Sequence, residues 1–249
     1  MIFQVKLADH VIKICSLCSM VQAISKDYIV SPDLLPAFTV SIADSDILKE
    51  RDCIHSTAKR LGMSMPMVGE AYCESLAVLR KIADSMPRYD TFLMHGAVVA
   101  KDGQAYMFAA DSGVGKTTRV KLWLEAYPDS IVVNGDKPLI RVTESEVLAC
   151  GTPWCGKEGW NTNTMVPLRA VFLIERSEDG ENRIEEMTLE QAFSLMLRQV
   201  HRSSDSGMAM KTIHLLKEFG GKVKIYKFHS CPTVEAVRMA YGIAFLNDY

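Results

Sequence analysis

Apolar and polar positions change their period several times along this chain. Ile2, Val5 and Leu7 mark a short strand, Ala8-Asp9-His10 can turn it, and Val11 to Cys15 reads as its partner. Ser31-Pro32-Asp33 and Pro36 interrupt the pattern. Residues 38–42 then alternate as a strand. From Met65 to Met86 the period becomes helical: Val68, Tyr72, Leu76, Leu79 and Ile82 recur every three or four positions. Pro66 suits the first turn of that helix and Pro87 lies just past its end. Strand character returns at 92–100, pauses at Lys101-Asp102-Gly103-Gln104, and resumes through Ala105, Met107 and Phe108.

Asp-Gly between two apolar runs is a hairpin signal. A turn that short joins only antiparallel strands, because parallel neighbours need a long crossover. The following segments predict a helix (Val120, Leu122, Trp123, Leu124), a buried strand (131–133) and a hairpin (139–142 with 147–150). A long polar loop, 151–167, leads to Arg169 and a strand at 170–174. Thr188 and Gln191 form a capping box for a helix running to Val200. Helices at 207–219 and 233–243 with a strand at 223–228 complete the pattern. The fold class expected is α/β: a mixed, largely antiparallel sheet flanked by helices, with a small N-terminal β-rich unit. The expected division is 1–60 and 61–249.

Composition narrows the class. The chain has 249 residues, 48% of them hydrophobic, and a formal net charge of -2. That balance supports neither a nucleic-acid nor an anionic-membrane partner. No apolar stretch is long enough to cross a bilayer and the N-terminus lacks a signal-peptide pattern, so a cytoplasmic protein is expected. Seven cysteines at scattered positions fit free thiols in a reducing compartment. Cys15 and Cys18 have no second pair at metal-binding spacing and read as core thiols, while His10 and His55 read as lone surface or packing histidines.

The chemistry concentrates at Ala109-Ala110-Asp111-Ser112-Gly113-Val114-Gly115-Lys116-Thr117-Thr118. A strand enters this stretch and a helix leaves it, the context of a phosphate-binding loop. Loop amides and the helix start favour phosphate oxygens. Lys116 would meet the outer phosphates and Thr117 would hold Mg²⁺. Ala110 replaces the first glycine of G-x-x-x-x-G-K-[ST], where a positive φ would be strained. Asp136, in Asn134-Gly135-Asp136 at the end of a buried strand, is the second expected Mg²⁺-organising group or a proton acceptor. His95 is a candidate for a phosphate contact or proton donation, and Arg169 for charge stabilisation. Trp154, Trp160, Asn161 and Asn163 either contact an acceptor or pack the long loop.

Taken together, His95-Gly96, the loop Asp111 to Thr117, Asn134-Gly135-Asp136 and Gly151-Thr152-Pro153-Trp154 resemble the HPr kinase and phosphoenolpyruvate carboxykinase superfamily over roughly residues 90–245. Gly135 stands where HPr kinases carry one of two paired aspartates. The resemblance implies a nucleotide-binding core on a mixed sheet, ATP or another phosphate donor, Mg²⁺ and phosphoryl transfer, with Asp136 as the catalytic or metal-organising aspartate and His95 near the reacting phosphate. The expected activity is a kinase acting on a hydroxyl of a small molecule or of a peptide serine. A non-catalytic nucleotide sensor and a carboxykinase-like enzyme are the alternatives, and a homo-oligomer is left open.

Overall fold

The computed structural model describes residues 1–60 and 62–246. The chain divides into two compact units, Met1–Ser85 and Met86–Tyr249. The division therefore falls after residue 85, not after residue 60. Position 61 and positions 247–249 of the expected second domain lie outside the described residues.

In the first unit, β1 (Ile2–Leu7) and β2 (His10–Cys15) form an antiparallel hairpin, and β3 (Phe38–Ser41) adds to β2 in parallel. Ala8 and Asp9 turn the hairpin with φ of 46° and 70°, the left-handed pair that suits two-residue hairpins. Three helices join this sheet: α1 (Met20–Ile24), α2 (Asp44–Arg60) and α3 (Glu70–Ser85). The sequence pattern did not foresee α2. Its buried residues are only Ile47, Glu50 and Ala58, too sparse for an apolar stripe. Charge ties it to α3 instead, through Glu50 with Arg80 and Asp46 with Lys81 at 2.6 Å. These ties explain why α3 belongs to the first unit. The helix starts later than expected, leaving Pro66 outside it. The carboxylate of Glu74 accepts hydrogen bonds from the backbone of Leu17 and of Cys18, the latter at 2.9 Å.

The second unit is built on one large sheet of β4 (Thr91–Leu93), β5 (Ala97–Lys101), β6 (Gln104–Ala109), β7 (Ile131–Asn134), β8 (Leu139–Val142), β9 (Val147–Cys150), β10 (Met165–Arg176), β11 (Arg183–Met187) and β12 (Lys224–Ser230). The order is β4-β8-β9-β10-β6-β5-β7, with β12 beside β10 and β11 beside β12. Only β6–β10 and β10–β12 are parallel. The β5–β6 hairpin turns at Asp102 and Gly103, with φ of 52° and 76°, as the Asp-Gly signal predicts.

Residues 92–100 are not one strand. The chain leaves β4, beside β8, and enters β5, between β6 and β7. In a flat sheet those positions would lie about 24 Å apart. The three intervening residues reach about 14 Å at full stretch. The sheet must therefore curl, and Met94-His95-Gly96 is the short crossing that the curl permits. Long β10 also corrects the expected loop boundary. It begins at Met165, so Arg169 lies within a strand and not before one.

Both faces of the sheet are buried. Val98, Met107, Val171 and Ile225 face one core with α5 (Leu189–Gln199) and α6 (Ser206–Gly220). Val99, Phe108, Phe172 and Tyr226 face another with α4 (Lys116–Ala126) and α7 (Val234–Leu246). Alternation along each strand produces this split. Phe108, Phe172 and Tyr226 stack across β6, β10 and β12 with centroids 5.6 and 5.3 Å apart. That ladder holds the parallel strands so that Ala109, Arg176 and Ser230 end on the same edge. The architecture is thus a mixed α/β fold with a curled, mostly antiparallel sheet flanked by helices, plus a three-stranded N-terminal sheet.

Candidate phosphate-binding site

The loop 110–115 leaves β6 at that edge and feeds directly into α4. Gly113 and Gly115 take φ of 82° and 124°, conformations open to glycine. Ala110 is not among the residues with positive φ. The strain expected from the missing first glycine is absent there, and the alanine packs into the core below the loop. Lys116 is buried, and its Nζ donates to the carbonyls of Ala110 at 2.8 Å and Asp111 at 3.4 Å. Asp111, Ser112 and Gly113 are exposed, Val114 and Thr117 half-buried and Thr118 exposed.

His95 and Asp136 meet beside this loop. His95 Nε2 lies 3.1 Å from Asp136 Oδ1, and the backbone N–H of Gly96 donates to the Asp136 carbonyl at 3.0 Å. Burial pushes the Asp136 carboxyl upward. The His95 hydrogen bond and the charges of Lys137 and Lys116 outweigh it and hold the group below the ordinary aspartate value. Asp136 is therefore ionised at neutral pH. Burial pulls both Lys116 and Lys137 below the usual lysine value, while Asp136 pushes them back up.

Asn134 fixes this turn. Its Oδ1 accepts from the backbone N–H of Asp136 at 2.9 Å and of Lys137 at 2.7 Å. Its Nδ2 donates to the carbonyl and hydroxyl oxygens of Thr152, both at 3.0 Å. Thr152 in turn donates to the Lys137 carbonyl at 2.7 Å. The Gly-Thr-Pro-Trp stretch is thus a brace for the acidic turn. Gly151 serves it by close approach: a Cβ there would lie 1.9 Å from the Thr162 carbonyl oxygen. Gly135 is constrained likewise, since a Cβ would lie 2.6 Å from the Cys155 carbonyl oxygen. The long loop fills the space a second aspartate would need. Trp154 is buried and Trp160 packs against the aromatic core, so both pack the loop down. Asn161 Nδ2 donates to the Thr152 carbonyl at 3.0 Å, and Asn163 is exposed.

Three residues at the loop escaped the sequence reading. Arg176, at the end of β10, donates through Nη2 to the Gly113 carbonyl at 2.7 Å. Arg119 is buried and donates to Ser230, with Nη2 2.7 Å from its carbonyl oxygen. Gln199, at the end of α5, donates through Nε2 to Asp111 Oδ1 at 3.0 Å and accepts from the His95 backbone N–H at 2.7 Å. Parallel register brings Arg176 here and the docking of α5 brings Gln199, whereas Arg119 follows the loop directly in the chain. Arg169 does not join them. Ala170, its neighbour on β10, pairs with Tyr106 near the start of β6, whereas the loop follows the other end of β6. Arg169 Nε donates to the Ala244 carbonyl at 3.2 Å, and the residue lines a separate cleft of about 840 Å³.

The site has oxygen donors suited to Mg²⁺ only in company with phosphate. Asp136 is held ionised, and His95 engages one of its carboxyl oxygens, leaving the other. Thr117 lies in the first turn of α4. Such a pair fits a cation that keeps waters and substrate phosphates as further ligands. Among the described residues no cluster of three His, Cys, Asp or Glu could hold a metal by itself. All seven cysteines are free, and no described helix is long and apolar enough to cross a membrane.

No protein-family model matches the chain, and no curated protein does. Among solved structures, it is similar to the HPr(Ser) kinase/phosphatase from Coxiella burnetii, at 6% identity over 62% of this chain and 94% of that one, with a TM-score of 0.34. That is a distant structural likeness, and the roles of the residues rest on the geometry above.

Proposed function

We propose that the second unit is a phosphotransferase that binds ATP on the loop 110–118 and passes its terminal phosphoryl group to a hydroxyl. The observation that carries this reading is the ionised Asp136, hydrogen-bonded to His95 and in electrostatic range of Lys116. A phosphate cradle and a proton acceptor in one place are the parts such a transfer needs. The loop amides and Lys116 would hold the phosphates. Arg176, already on the loop, would add positive charge at its open side. Thr117 and the second carboxyl oxygen of Asp136 would hold Mg²⁺, which when bound neutralises phosphate charge. Alternatively, that carboxyl oxygen would accept the proton of the attacking hydroxyl instead of holding the metal; in either role His95 would orient the carboxylate. The acceptor is a small molecule or a peptide serine.

A nucleotide sensor without transfer is the second reading. It is favoured by Gly135, whose surroundings exclude a second carboxylate. Label from γ-labelled ATP separates the two. Transfer into a metabolite or peptide pool by the wild type supports a kinase; binding with no transfer supports a sensor. In a kinase, Asp136→Asn should retain nucleotide binding and lower transfer by ~10²- to 10⁴-fold, the usual worth of a positioned base. A fully active Asp136→Asn protein would remove Asp136 from the reaction.

A further inference from the structure

We propose that Gln199 is a positioning residue that couples the phosphate loop to the His95–Asp136 pair. The inference rests on the phosphoryl-transfer reading of this site. Gln199 joins both halves of the site, one through its side chain and the other through its backbone. Its side-chain Nε2 donates to Asp111 Oδ1 at the mouth of the loop, 3.0 Å away, and its backbone carbonyl oxygen accepts from the backbone N–H of His95, 2.7 Å away. His95 continues the chain to Asp136 at 3.1 Å. Asp111 closes it, since its carbonyl accepts from Lys116. The connected path is therefore Lys116, Asp111, Gln199, His95, Asp136.

The surroundings hold Gln199 still. It is buried, with 7% of its surface exposed. The next residue, Val200, makes a bridge to Met94, and the N–H of His201 donates to the Leu93 carbonyl at 2.9 Å. The end of α5 is thus clamped along the crossing that carries His95. On the other side, Asp111 belongs to an exposed, glycine-containing loop. A rigid helix end therefore sets where the loop stands relative to the acidic turn. Phosphoryl transfer depends on that separation, because donor and acceptor must be aligned in line.

The side chain can be changed without touching the backbone bond to His95. Gln199→Leu removes the donor to Asp111 and keeps the volume. Nucleotide affinity should then change by no more than about threefold, while kcat falls by ~10- to 100-fold, as expected when reacting groups are misaligned. A readout independent of turnover is the nuclear magnetic resonance signal of the His95 ring on adding MgATP. The wild type should show a shift, and Gln199→Leu should lose most of it at saturating nucleotide. Reversing the bond gives the stronger test. Gln199→Glu places a carboxylate against Asp111 and should impair transfer. Adding Asp111→Asn restores a donor–acceptor pair with opposite polarity and should recover most of the lost kcat. Equal impairment of Gln199→Glu and the double variant would overturn the coupling, as would an unchanged His95 response in Gln199→Leu. If the wild type binds no ATP, the phosphoryl-transfer reading falls and this proposal with it. If the wild type binds and transfers normally but the Gln199 variants do likewise, this proposal alone falls.

Discussion

Buried charge is handled in opposite ways in the two units. In the first, Glu50 has 5% of its side chain exposed and is gripped by Arg80 on the neighbouring helix. Asp46 and Lys81 repeat the arrangement at 2.6 Å. In the second, Lys116, Lys137 and Arg119 are drawn from water without a carboxylate at ion-pair distance among the described residues. Lys116 and Arg119 settle for carbonyl and hydroxyl oxygens. A paired buried charge joins two elements. An unpaired one carries a desolvation cost that an arriving anion can offset. The first unit uses its charges to fasten α2 to α3, whereas the second keeps Lys116 and Lys137 in electrostatic range of the ionised Asp136 without a direct ion pair among the described residues.

This contrast predicts opposite responses to neutralising substitutions. Lys116→Met should weaken nucleotide binding by ~10²- to 10³-fold, or about 3–4 kcal/mol, as for loss of one member of a desolvated charge contact. It should leave unfolding in urea unchanged or slightly shifted towards stability, since a desolvated cation is removed. Glu50→Gln should do the reverse. It leaves Arg80 without its partner and should cost about 1–3 kcal/mol of stability in the same denaturation, below the full value for a buried pair because Arg80 is 47% exposed. Nucleotide binding should be unaffected. A stability loss in Lys116→Met as large as that in Glu50→Gln would break the distinction.

Legibility followed the range of the interactions. Local signals were read well: the Asp-Gly hairpin, the capping box at Thr188 and Gln191, and the loop with its helix all occur where the sequence puts them. Elements stabilised by distant partners were not. The polar helix α2 is held by Arg80 and Lys81, and β11 by β12. Residues 92–100 look like one strand because the break at His95 is imposed by the curl of the sheet, which no local pattern encodes. Nothing local distinguishes Arg176 from Arg169 for the same reason: position along a strand matters only once the register with β6 is known. Gly135 could be read as a missing aspartate, but not as a residue required by the Cys155 carbonyl. That requirement makes a further prediction. Gly135→Ala should lower thermal stability by about 1–3 kcal/mol, the cost of forcing a methyl group into a packed site. An unperturbed melting curve would mean that the long loop yields easily and does not define the pocket.

The smallest expected effects are those of pH, and they run in opposite directions. Asp46 is pushed up by burial, but its hydrogen bond and charge contact with Lys81 hold it below its ordinary value of 3.8. A lowered acid contributes stability that is complete above 3.8 and is lost as the pH falls through the lower, folded value. The first unit should therefore lose this increment only in strong acid, and Lys81→Met should reduce it, leaving the part due to the Ala43 backbone N–H and Lys49. Lys116 is shifted the other way. Burial holds it below 10.5, and bound phosphate would favour its charged form. Binding then takes up a proton once the free lysine begins to deprotonate. Nucleotide affinity should fall as the pH rises, starting at a lower pH than an ordinary lysine would give, by at most about tenfold per unit for one proton. Calorimetric titration in buffers of different ionisation enthalpy measures that proton directly. Proton uptake that persists in Lys116→Met would assign it to another group and make Lys137 the next residue to replace.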